Sequence, residues 1–217
     1  MNFDRNAEDL GNVIHLEHVN LTVPDQLVAT KFYVSALGLT RDPYLMTGVD
    51  NMWINAGRTQ FHLPNGAPQR LRGTIALVIP GRRALLDRLQ RALEGLAQTQ
   101  FAFAEKTEYV EVHGPWGNRF QCYEPDPARF GGTTLGIVGL EFAVPRGCAE
   151  PIAKFYREVI EARVTVSEDA QHAPVATIGI GVGQSLTFRE AASSPAPYDG
   201  HHIQIYVADF SGVHRRL

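Results

Sequence analysis

Within residues 14–25, the side chains from Leu16 to Val23 alternate strictly between two sides in the pattern of a half-buried β-strand. One side of this segment carries Glu17, Val19, Leu21 and Val23. The other side carries Leu16, His18, Asn20 and Thr22. A period of two with apolar residues on one side predicts a strand that covers a core. An imidazole, an amide and a hydroxyl are costly to bury without partners, so we expect the second side to face water, a ligand or a metal ion.

A helix and three short strands are predicted to follow this strand. Residues 25–39 have apolar side chains at helical spacing, including Leu27 and Phe32, and Gly38 stands where a helix would end. The three strands are predicted near residues 44–46, 51–55 and 59–63. The same order returns as a strand at 73–80, a helix at 82–94, and strands at 101–104, 109–112 and 119–123. The chain is therefore predicted to repeat one unit.

A third copy of the unit begins after a turn-rich linker at residues 125–132. Its opening strand, 137–145, ends in Val-Pro as the first one does, and its helix repeats the Lys-Phe-Tyr of residues 31–33. Its remaining strands are predicted near 163–167, 175–182 and 185–189, and a fourth copy opens at 200–209. A period of about 60 residues is the strongest sign of how the chain is organised.

The fourth copy would consist of little more than its first strand, because Leu217 is reached where its helix should begin. Such a unit would leave a sheet edge open, which folded proteins normally cover. We therefore expect either that the natural product continues beyond Leu217 or that a partner chain covers this edge.

Composition and charge exclude several classes of partner. Of the 217 residues, 44% are hydrophobic and 20% charged, and the net charge is −3, so neither nucleic acid nor an anionic membrane is expected as a partner. No secretory signal and no apolar run of membrane-spanning length are apparent. Cys122 and Cys148 form neither a CxxC motif nor a disulfide pattern, which favours a reducing cytoplasm and a core role for Cys122.

Two motifs give the repeats a family resemblance. The helix motif Lys-Phe-Tyr-x-x-x-x-Gly-Leu at residues 31–39 and the turn Gly-Pro-Trp-Gly-Asn-Arg-Phe at 114–120 resemble the vicinal oxygen chelate superfamily. That superfamily includes glyoxalase I, extradiol dioxygenases and bleomycin-resistance proteins. The resemblance implies an α+β fold of tandem βαβββ modules, paired into cupped mixed β-sheets with helices outside. It also suggests a glyoxalase-like domain at 13–127 and a second, apparently incomplete one at 134–217.

The resemblance places metal ligands on the first and last strands of each module. In the first module these positions are His18 and His62, and in the fourth the position is His202. The second and third modules offer only Thr74, Gln121 and Gly139. If the first two modules pair, the cup has two imidazoles and no carboxylate, which is a poor metal site. If the first pairs with the fourth, His18, His62 and His202 form a three-histidine site. The sequence leaves both pairings open.

Two functions follow from this resemblance. One is a metal-dependent enzyme of the dioxygenase or glyoxalase type, using Fe, Mn, Zn or Ni on a small, partly aromatic substrate with vicinal oxygens. The other is a metal-free protein that binds or sequesters a small molecule. The sequence leaves the presence and the absence of a metal cofactor equally open. A homodimer is compatible with either. The residues predicted to contact the ligand are Asn20, Trp53, Gln121, Glu141 and Tyr206. A lone histidine on a strand is more often a packing residue than a ligand, and no catalytic residue is assigned.

Overall fold

The computed structural model describes residues 10–45, 50–191 and 195–217. The strands are β1 (Val13–Asn20), β2 (Thr40–Arg41), β3 (Asn51–Ala56), β4 (Thr59–Pro64), β5 (Gly73–Val78), β6 (Ala102–Glu105), β7 (Tyr109–His113), β8 (Arg119–Tyr123), β9 (Gly136–Val144), β10 (Arg163–Glu168), β11 (Pro174–Gly181), β12 (Gln184–Glu190) and β13 (His202–Val207). The helices are α1 (Gln26–Thr30, continued by a π-helical stretch at Lys31–Ala36), α2 (Arg82–Ala92, followed by a 3₁₀ turn at Glu94–Leu96), α3 (Pro127–Phe130), α4 (Ala149–Phe155, continued by a π-helical stretch at Tyr156–Ile160) and α5 (Phe210–Arg216).

The strands form two sheets, and each sheet combines strands of two repeats. The five-stranded sheet has the order β13-β1-β4-β3-β2, so the first module pairs with the opening strand of the fourth. The eight-stranded sheet has the order β10-β11-β12-β9-β5-β8-β7-β6 and joins the second module to the third. Antiparallel pairing joins β1 to β13 and β5 to β9. The predicted fold of tandem βαβββ modules in cupped mixed sheets is confirmed, and of the two pairings the structure has the first module beside the fourth.

The predicted domain boundaries do not coincide with the sheets. Residues 13–127 supply strands to both sheets, and so do residues 134–217. Whether these two segments are separable folding units stays a prediction. None of the helices in the described part of the chain has the length and apolarity needed to cross a bilayer.

Helix α1 begins at a side-chain cap and then widens. The carboxylate of Asp25 accepts hydrogen bonds from the backbone N–H groups of Leu27 and Val28, which satisfies donors that a helix start leaves free. From Lys31 onwards the helix is π-helical, so its residues turn with a longer period than 3.6. The prediction assumed a single helical period over residues 25–39, and the structure has two. Phe32 is fully buried as predicted, whereas Leu27 is 65% exposed.

An aromatic core joins the two sheets. The ring centroids of Phe61 on β4 and Phe120 on β8 lie 6.1 Å apart, and Phe32 packs 5.4 Å from Phe120. Cys122 is buried in the same core, where burial raises the pKa of its thiol to about 12, as expected for a packing residue. Because side chains alternate along a strand, the residues next to Phe61 and Phe120 point away from this core. Those residues are His62 and Gln121, and they line the two cups.

Candidate active site

A β-bulge in β1 sets the arrangement of the first cup. In the pairing with β13, Leu16 lies opposite Ile205 and His18 lies opposite Gln204, so Glu17 is an extra residue with no partner of its own. The bulge corrects the predicted strict alternation, because Leu16 is fully buried in the core with Val19 instead of facing the ligand side. It also turns the Glu17 side chain towards His18, whose Nδ1–H donates a hydrogen bond to the Glu17 carboxylate.

Three aromatic rings form one wall of the cup. Trp53 and His62 lie directly opposite each other on β3 and β4, and their rings stack with centroids 4.0 Å apart and an interplanar angle of 11°. The ring of His18 stands edge-on to both, 5.0 Å from Trp53 and 5.8 Å from His62. His18 is only 5% exposed. The structure therefore brings together the two histidines that were predicted on the first module.

Each histidine of the cup has one ring nitrogen engaged by an oxygen. Nδ1 of His18 donates to Glu17, Nε2 of His62 donates to Asn51 Oδ1 at 2.6 Å, and Nδ1 of His202 donates to the carbonyl of Gly200 at 3.3 Å. These oxygens can only accept, so the bonded nitrogen carries the proton. When such a ring is neutral, the lone pair is on its second nitrogen, which is Nε2 in His18, Nδ1 in His62 and Nε2 in His202.

The electrostatics of the cup favour a neutral His62. Its pKa is lowered from 6.5 to about 4, first by burial and then by the nearby charges that His18 and His202 carry when protonated. At neutral pH the imidazole of His62 is therefore uncharged. A neutral imidazole is the form that binds metals and that stacks without a cost in charge desolvation.

His202 lies farther from the other two histidines than a shared site requires. One row across the sheet consists of Trp53, His62, Asn20 and His202, on β3, β4, β1 and β13. Asn20 separates His62 from His202, and two strand spacings amount to about 10 Å. His202 is exposed, whereas Asn20 is buried. Throughout residues 10–45, 50–191 and 195–217, no three His, Cys, Asp or Glu side chains are placed to hold one metal ion.

Tyr206 lies at the far end of the same cup. It is opposite His15 in the pairing of β13 with β1, and the two rings stack with centroids 6.1 Å apart. The tyrosine is 47% exposed, so its phenol is accessible from solvent. Of the five predicted ligand-contacting residues, Asn20, Trp53 and Tyr206 thus lie on the sheet that carries the three histidines.

Gln121 and Glu141 lie in the second cup, on the eight-stranded sheet. This cup holds a cavity of about 230 Å³ that both residues line together with Thr74, Gly139 and Tyr123. Tyr123 Oη donates to Gln121 Oε1 at 2.7 Å, and Glu141 pairs with Arg189 at 3.2 Å. The predicted ligand-contacting residues are therefore divided between two cups and cannot all touch one ligand.

Several residues of the site region were not predicted. Glu17 was predicted on the side of Val19, away from His18, and a bulge leaves no sign in a period-two pattern. Asn51, two positions before Trp53, was predicted only as part of a strand, and its hydrogen bond to His62 was not predicted. The buried histidine of the 201–202 pair is His201, whose Nδ1–H donates to Asp199 at 2.6 Å, while His202 is exposed.

Solved structures of other proteins resemble the fold over most of the chain. A proposed dioxygenase from Bacillus subtilis aligns with 90% of this chain and 68% of its own, at 17% identity and a TM-score of 0.56. Glyoxalase I from Zea mays aligns with 93% of this chain and 79% of its own, at 13% identity and a TM-score of 0.60. The chain has the vicinal oxygen chelate fold. No protein-family model and no curated protein matches it. The structural similarity establishes the fold, and sequence identities this low leave the reaction open.

The family resemblance predicted metal ligands at His18 and His62, and the first cup fits that prediction in part. Adjacent imidazoles that each have one nitrogen held by an oxygen have the outer-shell support that metal-binding histidines usually show. His18 and His62 both have this support and lie next to each other. His202 has the same kind of oxygen contact but is not adjacent to either of them. The second cup has Thr74, Gln121 and Gly139 at the corresponding positions, and these residues offer no imidazole or carboxylate.

Proposed function

We propose that the first cup binds a divalent transition metal through His18 and His62 and acts on a small, partly aromatic molecule with vicinal oxygens. The observation that carries this proposal is the oxygen contact at one nitrogen of each of these histidines. A hydrogen bond of this kind fixes the tautomer and the ring orientation, so that the other nitrogen is the one presented to a metal.

The residues around the histidines would bind and orient the substrate. Trp53 offers an indole beside the two imidazoles for an aromatic ring to contact, and Asn20 and Tyr206 offer an amide and a phenol for hydrogen bonds. When bound, the metal would supply Lewis-acid stabilisation of negative charge on the substrate oxygens, or a binding position for oxygen. Glu17 would hold His18 in the orientation that presents Nε2.

Metal content is the measurement that tests this proposal. The chain, purified without added metal and again after reconstitution with Fe²⁺, Mn²⁺, Zn²⁺ and Ni²⁺ in turn, would be analysed for bound metal. We expect about one ion per chain in the wild type and a large loss in His18→Ala and in His62→Ala, because each change removes one of the few ligands. His113→Ala, on the far sheet, is the matched control and should keep the ion. A wild type without bound metal after every reconstitution would rule the proposal out.

A metal-free binding protein is the second candidate function. It is favoured by the separation of His202 from His62 across Asn20, which leaves two adjacent imidazoles instead of three. Titration with catechol, a small aromatic compound with vicinal oxygens, distinguishes the two functions. In a Trp116→Phe background the remaining tryptophan, Trp53, reports binding by fluorescence. Binding that survives a strong chelator favours the binding protein, and binding that the chelator abolishes favours the metal site.

The setting of the protein is a proposal as well. We propose a reducing cytoplasmic location, which both free cysteines, Cys122 and Cys148, support. We also propose that its partner is a small molecule, because the fold forms two cups and the net charge of −3 disfavours nucleic acid.

A further inference from the structure

Gly139 stands within β9 at a place where the described part of the protein does not require a glycine. Its φ angle lies outside the left-handed region, and an added Cβ atom would lie 3.4 Å from the carbonyl oxygen of Ser185, which is ordinary van der Waals contact. At Gly73, by contrast, an added Cβ would lie 1.5 Å from a carbonyl oxygen. A glycine inside a strand weakens the strand and is typical of a site that a ligand or another backbone approaches closely. Because the surrounding protein atoms leave room for a Cβ, the space over Gly139 is open to a ligand.

Small side chains make this space the floor of the second cup. One row across the eight-stranded sheet consists of Ser185, Gly139, Ala76 and Gln121, on β12, β9, β5 and β8. All four residues line the cavity of about 230 Å³. The two central members of the row offer nothing larger than a methyl group, while the outer two carry a hydroxyl and an amide. The floor is therefore open in its middle and polar at both ends.

Neutral hydrogen-bonding groups surround this floor. Thr74, Ser185 and Thr187 line the cavity, and each hydroxyl can donate one hydrogen bond and accept two. Tyr123 Oη donates to Gln121 Oε1 at 2.7 Å, which leaves the N–H donors of the amide and the lone pairs of the phenol oxygen for a ligand. The cavity therefore offers donors and acceptors together.

The two charged side chains that line the described cavity are already paired within the protein. Both carboxylate oxygens of Glu141 accept from Arg189, at 3.3 and 3.2 Å. The guanidinium of Arg129 pairs with Glu108 at 3.2 Å and lies 4.3 Å from the centre of the Tyr123 ring. A charged ligand would have to compete with these pairs. A flat aromatic ligand would have to compete with Arg129 for the Tyr123 ring, which is only 6% exposed. The cup therefore favours a ligand that is neutral and held by hydrogen bonds.

We propose that the second cup binds a small, neutral, polyhydroxylated molecule of the size of a monosaccharide, and that it does so without a metal ion. The cavity of about 230 Å³ lies below the roughly 300–1,000 Å³ of sites for drug-sized ligands and equals the volume of about eight waters. A sugar hydroxyl both donates and accepts, and so matches the groups of the cup. The site lies on the other sheet from His18 and His62, so it can be filled whether or not the first cup holds a metal ion.

Titration with neutral polyols in the presence of a strong chelator tests the proposal. D-xylose, D-glucose and myo-inositol would each be added to the chain up to tens of millimolar, with binding measured by calorimetry. We expect at least one of the three to bind. Cyclohexanol keeps only one hydroxyl, and D-glucuronate adds a carboxylate. We expect both to bind at least about tenfold more weakly, because the first loses hydrogen bonds and the second brings an unpaired charge into the cup.

Two variants of the cup and two controls locate the binding. Gly139→Val fills the space over the floor and should weaken polyol binding by at least about tenfold, because the ligand and the new side chain cannot share that space. Thr187→Val removes one hydroxyl but keeps a branched side chain, and should weaken binding by roughly 2–12-fold. Gly132→Val, at a position with no atom within 4 Å of an added Cβ, should leave the affinity unchanged. His62→Ala, in the first cup, should also leave it unchanged.

Three outcomes would overturn the proposal. They are the absence of binding by all three polyols, equal binding of cyclohexanol, and full affinity in both Gly139→Val and Thr187→Val. Circular dichroism confirms that each variant is folded. Because the chelator and His62→Ala act on the first cup alone, a failure of the metal proposal would leave the polyol result unaffected.

Discussion

Glu17 is held beside His18 by the bulge in β1, and this contact gives the cup its only described carboxylate next to a candidate ligand. The carboxylate fixes which nitrogen of His18 carries the proton. We predict that Glu17→Gln weakens metal binding by about 10–100-fold, the usual effect of losing such an outer contact. Competition with a chromophoric chelator measures the change. Glu111→Gln alters a Glu–His pair on the far sheet, 3.7 Å from His113, and is the control. Equal affinities in wild type and Glu17→Gln would show that the contact has no part in metal binding.

Asp169, which pairs with Arg189, provides a pH-dependent test of stability. The pKa of its carboxyl lies below 3.8, first because the N–H of Ala173 donates to it and then because Arg189 does. The folded state therefore holds this proton less strongly than the unfolded state, so the contribution to stability is complete above pH 3.8 and is lost as the pH falls through the folded-state pKa. We predict that Asp169→Asn makes the free energy of unfolding less dependent on pH in this acidic range. Denaturation at several pH values measures it, with Asp87→Asn, at a half-exposed carboxylate on α2, as control. A slope equal to that of the wild type would contradict the prediction.

Among the secondary-structure elements, the strands and helices could be predicted wherever one period holds throughout. The alternation of 73–80 and the helical spacing of 82–94 match β5 and α2 closely. One error is the strand predicted at 44–46: the structure has a strand at Thr40–Arg41 and none at residues 44 and 45, and residue 46 lies outside the described part of the chain. Two other errors arise where the period changes. The bulge at Glu17 exchanges the sides of Leu16 and Glu17. In the first helix, an α-helical part with Leu27 exposed is followed by a π-helical stretch of longer period. Such local changes depend on pairing with distant strands and on packing, which a local pattern does not record.

Gly73 is required where β5 and β9 join the second module to the third. A Cβ atom at this position would lie 1.5 Å from the carbonyl oxygen of Glu141, which is backbone and cannot move aside by a rotamer change. We predict that Gly73→Ala lowers the free energy of unfolding by about 1–3 kcal/mol, the usual cost of overpacking. Chemical denaturation measures this, and Gly132→Ala, with no atom within 4 Å of its added Cβ, is the control. An unchanged free energy of unfolding would show that the strand junction is looser than described.

For the whole molecule, the module repeats predicted the fold but could not decide which modules share a sheet. That choice depends on long-range pairing of β1 with β13 and of β5 with β9. It determines the site, because it places His202 on the sheet of His18 and His62 and moves Gln121 and Glu141 to the other cup. The closeness of His18 and His62 could be predicted because they lie within one module. The position of His202 opposite Asn20 could not, since it depends on the register between two strands far apart in sequence.

The central claim is that His18 and His62 together hold a metal ion, and a crystal of the chain grown with Zn²⁺ tests it most directly. Diffraction data collected at the zinc absorption edge locate the ion independently of any model of its ligands. We predict an anomalous peak in the first cup, about 2.1 Å from Nε2 of His18 and from Nδ1 of His62. A cup without a peak, or zinc found only at surface histidines such as His172 and His214, would contradict the account.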